Sequence, residues 1–230
     1  SRSDLLFNVW GGDHHGYIQR MKAAMQLLGH NPDELEIVIT QMVDLVRDGE
    51  AFQMSGRSGD QIDLDDIIAE VGPDAARFTY LIQSVDSRQT FDVDEVAQQG
   101  MDNPVFYVQY AHARICSILA KAAAAGVDRS ALADVDRSLL VHERELDLLR
   151  NLNTLPDTVR VACQDNGPHR VAAWSREQAA ALHGFYHDCY VMGDGVSTEL
   201  TQARLALVAA SQVGLQIALD LLGVSAPESM

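Results

Sequence analysis

"NPVFYVQYAHARICSIL", residues Asn103 to Leu119, carries two separate stripes at helical spacing. At about 100° per residue, Val105, Val108, Ile115 and Leu119 share one face, while Tyr107, Tyr110 and Arg114 share another roughly 140° away. The apolar stripe reads as core. The second stripe sets two aromatic rings and a guanidinium side by side, which suits stacking on unpaired bases and pairing with phosphate. Equally, tyrosines of this kind pack against a neighbouring helix with their hydroxyls at the rim.

Working outward, the chain after about Gly100 is helical almost throughout. Helices are expected over 104–125, 130–152, 156–165, 169–192 and 198–222, with Gly126, Gly193 and Gly223 near helix ends. Short connections between long amphipathic helices make a bundle. Before Gly100 the pattern differs. "LLFNVW" from Leu5 reads as a buried strand, "GGDHHG" as a turn, 17–28 as a helix and "LEIVITQMVDLV" (Leu35 to Val46) as a second strand. Strand, helix, strand is a crossover unit of a parallel sheet. Asp63 is placed to cap a helix that runs to Val71, and Pro73 to start the next. The expected architecture is mainly α: a partial Rossmann-like α/β segment over 1–100, then an all-α bundle over 101–230.

Composition bounds the function. The 230 residues carry a formal net charge of −16, which opposes non-specific adhesion to nucleic acid but leaves room for a local site. No apolar run is read as approaching the roughly 20 residues that cross a bilayer, so a cytoplasmic protein with no membrane partner is expected. Cys116, Cys163 and Cys189 are read as reduced, buried core thiols. The chain starts at Ser1, directly before a strand-like run, as expected of a fragment.

Two further segments carry chemistry. In "WGGDHHG", Gly11 and Gly12 end a parallel strand where open α/β sheets bind ligands, and Asp13, His14 and His15 supply charge, donors and acceptors. That suits a nucleotide contact, a divalent metal as in Asp-His-His phosphoesterases, or a structural turn. In "FQMSGRSG", Met54, Ser55, Gly56, Arg57, Ser58 and Gly59 form a small loop able to offer backbone N–H groups, two hydroxyls and a cation to an anion. A plain solvated loop fits those residues as well.

Taken in order, "NVWGGDHHGYIQRMKAA", "QMVDLVRDGEAFQMSGRSGD", "LDDIIAEVGPDAARFTYL", "DNPVFYVQYAHARICSIL" and the final "GVSAPESM" resemble the carboxyl-terminal part of the bacterial-type arginyl-tRNA synthetases, essentially from end to end. The resemblance implies the end of a class I Rossmann-like catalytic domain followed by an anticodon-binding helical domain. It implies ATP as substrate with its accompanying magnesium, no protein-bound metal, tRNA for arginine as partner, and a monomer. Gly11, Gly12, Asp13, His14, His15, Met54, Ser55 and Gly56 match the ATP-side segments. Gln53, Met54, Ser55 and Gly56 match the Lys-Met-Ser-Lys loop, and Gln53 and Gly56 stand where that pattern has lysines. Ser55 and Arg57 are therefore the candidate catalytic groups, with Arg57 or a lysine upstream of Ser1 expected to replace the missing cation. Tyr107, Tyr110, Arg114 and Met230 match positions around the anticodon. Phe185, Tyr186 and Tyr190 lie on a later helix, two of the three being expected in the core. The family's His-Ile-Gly-His segment has no counterpart here, so the chain alone is expected not to activate arginine. Two alternatives are an RNA-binding paralogue that has lost catalysis and an Asp-His-His metal phosphoesterase.

Overall fold

The computed structural model describes residues 5–51, 63–127 and 134–230. The chain divides into two units, residues 1–53 with 83–93, and 54–82 with 94–230. Compactness thus groups 63–82 with the helices, whereas the sequence places them before a boundary near residue 100.

In the smaller unit, β1 (Leu6–Gly11) and β2 (Leu35–Thr40) run parallel in register from Leu6 beside Leu35 to Gly11 beside Thr40. The crossover is a 3₁₀ turn (Gly12–Tyr17) leading into α1 (Ile18–Leu27). The apolar run from Leu35 is two strands rather than one. It breaks at Gln41 and Met42, where the Gln41 N–H donates to the Val85 carbonyl at 2.9 Å, and β3 (Val43–Arg47) belongs to a second sheet. There β3 lies between β4 (Glu50–Ala51), antiparallel, and β5 (Gln89–Asp92), parallel. Arg88 clasps Asp44 across β3 and β5 with two bonds of 2.7 and 3.0 Å.

The larger unit is the helical one. In α2 (Leu64–Val71) the Asp63 N–H is met by Asp66 at 3.0 Å, and α3 (Pro73–Leu81) starts at Pro73 as expected. A short α4 (Val93–Ala97) precedes α5 (Pro104–Ala124). Asn103 caps α5 by accepting from Val105 N–H at 3.1 Å, while its amide donates to Val96 and Gln98 carbonyls. Val105, Val108, Ile115 and Leu119 are all buried, as the apolar stripe requires.

Two boundaries differ from the sequence reading. Of the helix expected over 130–152, residues 130–133 lie outside the described residues; the described helix begins at Glu143, because His142 is its cap: its ring Nδ1 accepts from Arg144 N–H, and Glu145 accepts from the His142 N–H. This α6 (Glu143–Gln164) then runs straight through Pro156, expected to start a separate helix. Proline costs about 3 kcal/mol in a helix interior, and burial of Leu148, Leu155 and Ala162 on either side of it offsets that. α7 (His169–Asp188) ends four residues earlier than expected, and α8 (Thr198–Leu222) closes at Gly223 in the left-handed conformation.

By length and composition α8 could cross a membrane, contrary to the expectation of no such run, but half of its apolar window is buried in the bundle. Leu205, Val208, Leu215, Ala218 and Leu219 are its core contacts, and Ser211 satisfies itself on the Leu207 carbonyl. Of the cysteines expected in the core, Cys189 is buried, whereas Cys116 is half-buried and Cys163 exposed.

Candidate nucleic-acid interface

The second stripe of α5 is half-buried and open to solvent on one side. Tyr107, Tyr110 and Arg114 sit one turn apart, so Arg114 Nη2 reaches back to donate to Tyr110 Oη at 2.8 Å. Its guanidinium carbon lies 4.6 Å from the Tyr110 ring centre and 4.4 Å from that of Tyr186 on α7. Arg114 is therefore the middle layer of a three-layer stack. Each cation–ring contact contributes about 0.5–1 kcal/mol where solvent reaches it. Arg114 Nη1 also donates to His183 Nδ1 at 3.1 Å. Among the described residues two of its five N–H groups are thus engaged, and the other donors are able to meet an anion at the guanidinium edge.

Tyr107 has a different place from its two neighbours. Its ring packs edge-on against His183 with centres 4.8 Å apart, and it supports the stack from behind. His183 itself is held below the ordinary histidine range by burial, then by the Arg114 charge, with an opposing pull from the Tyr107 backbone.

Met230 reaches this face because the segment Gly223–Met230 folds back over α3 and α5. Asp74 accepts from the Ser225 N–H and hydroxyl and from Gln109 Nε2, the last at 2.9 Å. Gln109 also donates to the Ser225 carbonyl, His112 Nδ1 meets the Pro227 carbonyl at 2.9 Å, and Arg77 binds the Gly223 carbonyl. The result is a cleft of about 440 Å³ with Tyr110, Arg114, Lys121, Tyr186, Glu228 and Met230 on its walls. A second hollow of about 420 Å³, which shares Tyr110, Arg114 and Met230 with the first, is lined also by Met101 and Phe106. Met230 is 57% exposed and lines both.

The structure thus brings Tyr110, Arg114 and Met230 to one surface. Of the later aromatic trio, only Phe185 is core. Tyr186 is 44% and Tyr190 76% exposed, so the expectation of two buried rings is corrected. Tyr186 faces outward because it is one residue round the helix from Phe185, whose ring fills the bundle. His183 escaped the sequence reading, although its three-residue spacing from Tyr186 places both on one face.

Asp13, His14 and His15 are exposed on the 3₁₀ turn after β1, with His14 Nδ1 donating to Asp13 at 2.8 Å. Gly11 is tight there: a Cβ would come within 2.9 Å of the Asp13 carboxylate. Met54, Ser55, Gly56 and Arg57 lie outside the described residues. Among the described residues no group of three His, Cys, Asp or Glu is arranged to hold a metal ion.

The chain is 46% identical over 225 residues to an arginine–tRNA ligase of Symbiobacterium thermophilum, covering 98% of this chain and 40% of that protein. It is 46% identical over 228 residues to the arginine–tRNA ligase of Oleidesulfovibrio alaskensis, covering 99% and 41%. A solved structure from Campylobacter jejuni, assigned as a candidate arginyl-tRNA synthetase, superposes with a TM-score of 0.85 at 32% identity, over 98% of this chain and 48% of that one. The chain therefore spans about two fifths of the length of the ligases it matches. A family model described as the DALR anticodon binding domain matches residues 108–230, which takes in Tyr110, Arg114, His183, Tyr186 and Met230. The chain belongs to the DALR anticodon-binding domain family.

Proposed function

We propose that this chain is the part of an arginine–tRNA ligase that grips the anticodon of tRNA for arginine and contributes one side of the ATP site. The observation that carries the reading is the Tyr110–Arg114–Tyr186 stack beside Met230, on a bundle of the anticodon-binding family. Unpaired anticodon bases add to such a stack through their π faces, and the free guanidinium edge and Lys121 take phosphate oxygens. Tyr107 acts behind them by fixing His183.

Residues 1–100 belong to the catalytic half in this reading, and 101–230 to the anticodon half. Gly11 and Gly12 let ATP approach the strand end, Asp13, His14 and His15 line the adenosine side, and the loop with Met54, Ser55 and Gly56 covers the triphosphate with its magnesium. Arg57 supplies the cation that Gln53 and Gly56 lack. The enzyme works as a cytoplasmic monomer that joins arginine to ATP and then to tRNA. The shared name of the ligase relatives does not favour the metal phosphoesterase or the inactive paralogue.

The test is binding of a hairpin carrying an arginine anticodon, against the same stem with a substituted anticodon, over a salt series. Tyr110→Ala and Arg114→Ala should weaken the first hairpin by about 5- to 100-fold, the range of one lost base stack, and the second far less. Equal losses on both hairpins would mean that the face reads no bases. For the ATP side, Arg57→Ala in a full-length ligase should slow ATP–pyrophosphate exchange by about a hundredfold, and unchanged exchange removes Arg57 from the mechanism.

A further inference from the structure

We propose that neutral His183 is a positioning residue of the interface: it holds the Arg114 guanidinium between Tyr110 and Tyr186 before RNA arrives, and its protonation releases the arginine. This rests on the anticodon reading above and deepens it, since it assigns that reading a built-in dependence on the charge of one imidazole.

A guanidinium only donates hydrogen bonds. The 3.1 Å contact from Arg114 Nη1 therefore needs a lone pair on His183 Nδ1, which puts the ring proton on Nε2 and leaves the ring neutral. Nε2 is buried and, among the described residues, makes no hydrogen bond of normal geometry. The ring is fixed in plane by Tyr107, edge-on at 4.8 Å, and lies 6.0 Å from Tyr110. A proton on Nδ1 would set N–H against N–H and place two cations in contact. Among the described residues Arg114 is the one charge that shifts His183, and burial acts in the same direction. The tyrosines Tyr107 and Tyr110 face it from α5. Further along α7, His187 and Asp188 pair with each other, and Asp188 also takes Arg144. In that set only the Tyr107 backbone favours protonation, and burial and the Arg114 charge outweigh it.

Without the imidazole acceptor, Arg114 keeps one side-chain hydrogen bond, to Tyr110 on its own helix. Its two ring contacts remain, so part of its rotamer freedom is left to be lost when RNA binds, an affinity cost of up to about tenfold. Acidification should thus weaken anticodon recognition even though it adds positive charge. General attraction to phosphate moves the opposite way, so the direction of the pH effect separates positioning from plain electrostatics.

The experiment compares the two hairpins from about pH 7.5 to about pH 5.5, using wild type, His183→Phe and His183→Asn. Asparagine Oδ1 occupies the place of Nδ1, accepts from arginine and does not titrate. The wild type should lose affinity for the matched hairpin only towards the acid end of that range, since burial and Arg114 delay protonation of His183. His183→Phe should be weak at every pH, and His183→Asn should regain most of that loss with a flat profile. Matched affinity of His183→Phe equal to wild type, or a wild-type pH slope in His183→Asn, overturns the proposal. Failure of the anticodon reading is seen separately, as Tyr110→Ala leaving both hairpins unaffected. In that event the arm without RNA decides: the NMR titration midpoint of His183 should rise in Arg114→Leu, and an unmoved midpoint sinks the positioning role.

Discussion

Replacing Arg204 by leucine should unfold the bundle more readily than any substitution on the interface. Glu145 is fully buried, yet both carboxylate oxygens are used: Oε1 accepts from Arg204 Nε at 2.6 Å and Oε2 accepts from the His142 N–H at 2.8 Å. Arg204 is itself only 12% exposed and also donates to the Tyr190 carbonyl at 2.5 Å. One guanidinium therefore ties the start of α6 to α8 and to the segment after α7. Removing it strands a carboxylate without a counter-ion in the interior, which costs about 3–5 kcal/mol. For a domain of this size each kcal/mol lowers the melting temperature by about 2–4 °C, so a fall of about 10 °C is expected. The double variant Glu145→Leu/Arg204→Leu removes the stranded charge and should recover more than half of that fall, losing chiefly the cap, worth about 1 kcal/mol. Thermal unfolding followed by circular dichroism measures both. A loss under about 1 kcal/mol in Arg204→Leu, or a double variant no better than the single one, would show that the pair behaves as an exposed one.

Two other expectations are simpler to check. Asp74→Ala removes the acceptor of three donors and should free residues 224–230, seen as fast amide exchange at Ser225, with about tenfold weaker binding of the matched hairpin if Met230 closes the cleft. Thiol alkylation should proceed in the order Cys163, Cys116, Cys189, because Cys163 is exposed while burial pushes the other two thiols up and keeps them protonated. Peptide mapping of a short maleimide reaction gives the order, and early labelling of Cys189 would refute it.

The apolar stripe of α5 was legible in the sequence because Val105, Val108, Ile115 and Leu119 repeat over four turns in an element whose neighbours are all helices. The start of α6 was hidden because a histidine ring does the work usually sought in serine, threonine, aspartate or asparagine. Pro156 misled for a related reason, since local propensity favours a break there and only the distant burial of Leu148 and Ala162 decides otherwise. The two strands around Gln41 read as one run because β-branched residues continue on both sides, and the partners that separate them, β1 and β5, are remote in sequence. At the interface, Tyr110 and Arg114 share a helix face and so declared themselves. The contact of Arg114 with His183 spans 69 residues and follows from how α5 and α7 pack, which no local pattern records.

The clamped segment Gly223–Met230 has a practical consequence. Position 230 is carried to the rim of the cleft by anchors on α3 and α5, so a small fluorophore attached there would sit beside Tyr110 and Arg114 and report ligand entry through quenching. A bulky affinity handle joined at the same point would crowd the opening, and a purification strategy that ignores this would mistake steric blockage for an inactive protein.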